Sequence, residues 1–200
     1  MKRLLWLWIV FFYVSCAHAV SSPIDMLQSV SDQSIAELKA NRATLKTNPR
    51  VVYRVINNIL LPHADMQDMA RIALGRNAWN AATPAQRSEF TREFTRLMVN
   101  TYSSALATYT DETIKFAPLR EDYQNLKRVQ VESTIVRDQG PPLSVKYRLV
   151  LKGSAWKVYD ITVEGVSILE SFRSQFAAEL SQGDLDNLLQ KLASHNQGDA

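Results

Sequence analysis

Along the chain, apolar positions first recur every three or four residues and then every second residue. Ser22-Pro23 caps and opens a helix whose apolar side carries Ile24, Leu27, Ile35 and Leu38. Asn48-Pro49 repeats the device before VVYRVINNILL, which Pro62 stops. Asp65 caps MQDMARIAL, and Gly75 ends it with a left-handed residue. Thr83-Pro84-Ala85-Gln86 is a capping box with proline at the first helical position. The long helix it opens runs to about Thr108, with Phe90, Phe94, Met98 (or Leu97), Thr101, Ala105 and Tyr109 on one broad face.

From residue 127 the period is two. KRVQVESTIVRD places Val129, Val131 and Ile135 on one side, and LSVKYRLVL alternates Leu143, Val145, Tyr147, Leu149 and Leu151 with Ser144, Lys146, Arg148 and Val150. Asp138 to Pro142 joins these two half-buried strands as a hairpin, and Gly153-Ser154 turns the chain into WKVYDITV. TIKFAPL supplies an earlier strand. After Gly165 a helix from about Ser167 carries Ile168, Phe172, Phe176 and Leu180 at four-residue steps, aimed at the sheet's apolar face. Gly183 ends it, and Asp184 caps a short last helix with Leu185, Leu188, Leu189 and Leu192, followed by a disordered tail, SHNQGDA. Helices followed by an antiparallel meander and closing helices make an α+β fold.

The first twenty residues change how the composition is read. Lys2 and Arg3, an apolar run from Leu4 to Val14 and the tripeptide Ala17-His18-Ala19 make a secretory signal peptide spanning 1–19, too short for the ~20 apolar residues of a membrane span. Cleavage after Ala19 removes Cys16, the only cysteine, so the exported chain has no disulfide and depends on its core. It also lowers the balance from 23 basic against 20 acidic residues to 21 against 20, which gives no reason to expect nucleic acid binding. Residues 20–200 are expected to form one domain, with a helical part at about 22–110 and the sheet and closing helices at about 111–193.

Candidate chemistry is sparse. His63 and His195 are far apart, so no metal is expected, and no nucleophile elbow, phosphate loop or zinc-protease motif occurs. Asp160 breaks an apolar strand. As a buried base it could work with Tyr102, Tyr147 or Tyr159; as a structural group it would pair with Arg148 or Arg173. The structural role is the expected one, and no catalytic residue is assigned. Lys46, Arg50 and Arg54 read as a solvated helix face. What is left over is apolar surface on the long helix, the strands and the closing helix, and periodicity alone does not decide between a filled core and a hollow.

Three blocks in order, IALGRNAW, TPAQRSEFTREFTRLMVNTYSSAL and WKVYDITVEGVSILESFRSQF, closely resemble the MlaC family, the periplasmic phospholipid-binding proteins of the toluene-tolerance lipid transport system. Phe172 is a mild departure, since the family often has tyrosine there. The resemblance implies a cone-shaped antiparallel sheet of the nuclear-transport-factor type, packed with helices around an apolar cavity. It also implies a monomer that carries glycerophospholipid as cargo and needs no cofactor. The implied partners are an outer-membrane MlaA–porin complex (with OmpC) and the inner-membrane MlaFEDB transporter through its MCE subunit, MlaD, so that the carrier maintains outer-membrane lipid asymmetry. Phe94, Met98, Tyr102, Val145, Tyr147, Leu149, Val166, Ile168, Phe172 and Phe176 are the expected cavity lining. A small acid/base enzyme of the same fold using Asp160, and a periplasmic adaptor that binds no lipid, are the alternatives.

Overall fold

The computed structural model describes residues 22–45, 47–108, 111–119, 122–137 and 140–198. The expected signal segment with Cys16, together with Lys46, Tyr109 and the residues Asp138 and Gln139 of the expected hairpin loop, lies outside the described residues. The caps read from the sequence form as hydrogen bonds. Ser22 Oγ accepts from the Ile24 amide at 3.2 Å and starts α1 (Pro23–Ala40). Asn48 leads α2 (Pro49–Val55) with no side-chain cap bond, and Ile56–Leu60 continues it as one π turn. Asp65 accepts from the Asp68 amide at 3.1 Å and starts α3 (Met66–Leu74).

Gly75, at φ 83° and ψ 152°, is not the left-handed cap expected of it; its mirror-extended backbone lets a short α4 (Arg76–Ala81) follow at once. That helix was not visible in the sequence pattern, being a turn and a half long with Trp79 as its one buried residue. Both halves of the capping box form at α5 (Pro84–Ala107): the Gln86 amide donates to Thr83 Oγ1 at 3.2 Å and the Thr83 amide to Gln86 Oε1 at 2.9 Å.

The five strands β1 (Thr113–Phe116), β2 (Arg128–Val136), β3 (Leu143–Lys152), β4 (Ala155–Val163) and β5 (Val166–Ser167) make one antiparallel meander in chain order. A register shift between Arg148 and Leu149 marks a β-bulge at Tyr159, where β4 has one residue more than its partner. Glu164 and Gly165, both at positive φ (49° and 85°), form the two-residue turn into β5, and α6 (Ile168–Gln182) leaves from it. The helix α7 (Leu185–Gly198) completes the chain.

Two expectations are corrected here. The apolar face of α6 does not lie on the apolar face of the sheet. Phe172 and Phe176 pack into one cluster with α3, α5 and α7, through Met69, Leu74, Phe90, Phe94, Leu188 and Leu192. The apolar side of the sheet is covered instead by α1, whose Leu27 packs with Val131, Leu149, Trp156 and Val158. The reason is the turn at Glu164-Gly165: it starts α6 beside Asp160, on the face of β4 opposite its apolar residues Val158 and Ile161, where Ser167 bonds Asp160. A third cluster joins Leu38 and Leu45 to Val51, Val52, Val55 and Ile56.

The tail is the second correction. Helix α7 continues through most of SHNQGDA because Asn196 is buried and tied to α5, its amide donating to the Glu93 carbonyl oxygen at 3.0 Å and to Glu93 Oε2 at 2.9 Å. Glu93 itself is only 2 % exposed. Burial pushes its carboxyl up, but the Asn196 amide and the Arg92 and Arg96 guanidinium groups outweigh that and hold it below the usual range. A depressed carboxyl stabilises the fold above its unfolded-state pKa, and that contribution is lost as pH falls through the folded value. Asn196→Leu is therefore expected to cost about 1.5–3 kcal/mol at neutral pH, as a hydrogen bond to a buried charge does, and to move the acid limb of the Tm–pH curve upward. Superimposable acid limbs for the two proteins would contradict this account of Glu93.

Candidate functional site

Two apolar layers carry the residues expected to line a cavity. In the first, Phe90 and Phe94 stand one turn apart on α5, and Phe172 and Phe176 one turn apart on α6, so each pair shares a helix face. The pairs interlock edge to face, with ring centroids 5.4 Å apart for Phe94–Phe172 and for Phe90–Phe176. Met98, Tyr102 and Ile168 are half-buried against this cluster.

The second layer is the inner face of the sheet. Register sets which residues share it: Val131 opposes Tyr147, Ser133 opposes Val145, and Val129 opposes Leu149. Leu149 is fully buried, Val145 nearly so, and the Tyr147 ring lies 5.9 Å from that of Phe116. Burial raises the Tyr147 phenol above its ordinary pKa, with Ser133 easing it slightly downward.

The structure thus divides the ten expected residues. Phe94, Met98, Tyr102, Ile168, Phe172 and Phe176 meet among the helices, whereas Val145, Tyr147 and Leu149 share the inner sheet face. Val166 belongs with neither: it is 61 % exposed, because β5 is a two-residue edge strand beyond the tight turn. Sequence reading missed Leu169, fully buried beside the phenylalanines, and Trp156, buried at the far end of the inner face. Trp156 could have been found by extending the alternation through the β3–β4 turn, which pairs it with Leu151.

Two open grooves also mark the surface. One of about 540 Å³ is bordered by Trp79, Arg87, Thr91 and Thr95, and another of about 470 Å³ by Gln182, Asn187 and Lys191. Neither contains an expected lining residue.

Asp160 is buried and has polar partners. The Ser167 hydroxyl donates to both of its oxygens, at 3.0 and 2.9 Å, while Ser167 Oγ accepts from the Glu170 amide as the N-cap of α6. Arg148 Nη1 lies 3.5 Å from Asp160, so the arginine partner is Arg148, its neighbour in the strand register. Tyr147, next along β3, points to the opposite side of the sheet, so Asp160 and Tyr147 do not converge on a common substrate position. Among the described residues, no group of three or more His, Cys, Asp or Glu side chains is placed to hold a metal ion.

Comparison with known proteins gives this arrangement a context. The toluene tolerance protein ttg2D of Pseudomonas putida is 31% identical over 173 residues, 86% of this chain and 80% of that protein. The intermembrane phospholipid transport system binding protein MlaC of Haemophilus influenzae is 26% identical over 185 residues, 91% of this chain and 86% of that protein. Among solved structures, the phospholipid-binding protein from Ralstonia solanacearum in complex with a phospholipid superposes with a TM-score of 0.81 at 29% identity, over 90% of this chain and 99% of that one. The family model for the MlaC protein matches residues 28–194, from within α1 to within α7, and the chain belongs to the MlaC family.

Proposed function

We propose that this protein is a periplasmic phospholipid carrier. Exported by a signal peptide cleaved before Val20, its residues 20–200 would act as one lipid-binding unit, with a glycerophospholipid as cargo and no catalytic step. Its partners would be the MlaA–porin complex of the outer membrane and the MCE subunit of the MlaFEDB transporter, and the exchange would maintain outer-membrane lipid asymmetry. The observation that carries this reading is the likeness to the Ralstonia protein, which extends over 99% of that chain and was solved with a phospholipid bound. Two further features support it. No helix among the described residues is long and apolar enough to cross a membrane, and the expected lining residues fall mainly in two distinct apolar layers.

Energetics favour such a carrier. Two acyl chains expose roughly 30 methylenes, each worth about 0.8 kcal/mol to bury. In this structure the phenylalanine rings touch one another and α1 lies on the sheet, so loading requires the layers to part. Burial of that many methylenes, on the order of 20 kcal/mol, is ample to offset such an opening. Mass spectrometry of the denatured protein purified from periplasm is expected to show phospholipid, with a polypeptide mass that begins at Val20. A lipid-free spectrum would favour the adaptor, and an acylated Cys16 would overturn the proposed processing.

A further inference from the structure

The inner face of the sheet is not uniformly apolar, and the two ends of the sheet differ. At one end, where β3 turns into β4, Lys152 is 2.9 Å from Asp65 and 3.6 Å from Asp68, the Asp65 amide donates to the Val158 carbonyl at 2.8 Å, and Lys157 bonds the Pro62 carbonyl. Ion pairs and backbone bonds tie α3 and the segment before it to the sheet there. The opposite end is the rim formed by the end of β2, the start of β3 and the β4–β5 turn. Among the described residues, the two exposed large apolar side chains, Val136 and Val166, both lie at that rim.

One step inward from the rim, the apolar face carries a hydroxyl. Ser133 is 4 % exposed and opposes Val145, yet its Oγ has no hydrogen-bond partner among the described residues. The Tyr147 hydroxyl is near enough for the serine to ease its ionisation, but no contact of hydrogen-bond geometry satisfies Ser133 Oγ. A buried hydroxyl without a partner is costly and calls for an explanation. Beyond these two groups the face is hydrocarbon and aromatic again, through Val131, Leu149 and Leu151 to Trp156. From Leu143 to Leu151 is eight residues, roughly 27 Å of extended strand, enough for a long acyl chain. The Trp156 Nε1 also lacks a partner, but it lies at the end of the sheet that is tied to α3, away from the rim.

We propose that phospholipid enters from the Val136/Val166 rim and lies along β3, with its glycerol ester oxygens accepting hydrogen bonds from Ser133 and Tyr147 and its chains directed toward Trp156. This rests on the carrier reading and adds an orientation and an ester-recognising subsite to it. The ligand chemistry is specific: a carbonyl acceptor joined to a long hydrocarbon. A phospholipid whose chains are ether-linked keeps headgroup and chains but lacks the carbonyls.

The experiment compares transfer from vesicles of ester-linked dioleoyl phosphatidylcholine with transfer from vesicles of its ether-linked counterpart, to delipidated mature protein. Wild type is expected to bind the ester lipid about fivefold to tenfold better, the worth of one or so hydrogen bonds. Ser133→Ala and Tyr147→Phe, which each delete only a hydroxyl or its oxygen, are expected to bring that ratio toward one, and Ser133→Thr to restore it. Equal binding of the two lipids by wild type, or a ratio unchanged in both variants, overturns the subsite while leaving the carrier standing. Failure of wild type to take up either lipid removes the carrier reading, and the subsite with it.

Discussion

Phe94→Ala is expected to lower stability by about 3–5 kcal/mol, the usual cost of removing a fully buried aromatic ring. Phe94 has no exposure and touches Phe90, Phe172 and Phe176 at centroid distances of 5.9, 5.4 and 6.0 Å. Its removal takes away two edge-to-face contacts and one stacked contact as well as area, and the ring's place between two helices cannot close without moving one of them. Denaturant unfolding of delipidated protein is the measurement. A loss below 1 kcal/mol would mean that the helices are free to collapse around the gap, and that the aromatic cluster is a loose lining and not a core.

Val145→Trp is expected to act on cargo more than on the fold. Val145 is 4 % exposed on the inner face and belongs to none of the three buried clusters found among the described residues. An indole there would project between the sheet and its cover, where the layers must part for the proposed lipid. Overpacking costs typically 1–3 kcal/mol, whereas lost acyl-chain volume removes a much larger binding contribution. The variant should purify with less than a tenth of the wild-type phospholipid, and its apo Tm should fall only modestly. Full lipid occupancy with a collapsed Tm would identify Val145 as core and put the lipid elsewhere.

Much of the architecture was legible because its signals are local. The caps at Ser22, Asp65 and Thr83 lie within three residues of the groups they bond, and the alternation in β2 and β3 names their inner residues directly. Partners distant in sequence were harder. Which layer α6 covers depends on the two positive-φ residues at Glu164-Gly165, and nothing in the spacing of Phe172 and Phe176 distinguishes a sheet from a pair of helices as their neighbour. The order of Asn196 depends on Glu93, 103 residues earlier, so a polar tail passed for disorder. Asp160 was readable as a structural acid because a carboxylate in an apolar strand needs a partner, and Arg148 is its register neighbour; the capping bond through Ser167 required the turn to be seen. Six of the expected lining residues come together and three share another face for the same reason: periodicity reports which side of an element is apolar, never what it meets.

One helix has a consequence of its own. The first half of α5 lies in the aromatic cluster through Phe90, Phe94 and Leu97, and the second half packs against the α1–α2 cluster through Val99, Leu106 and Ala107. A continuous rod of 24 residues belongs to both, so neither can melt while the other keeps it in place. Cooperative units of this sort are recognised by how slowly their amide protons are replaced by solvent deuterium. The middle of α5 should thus exchange only through whole-molecule opening, while the two-residue β5 exchanges early. The edge of the sheet would then be free to loosen while the frame built around α5 keeps its shape.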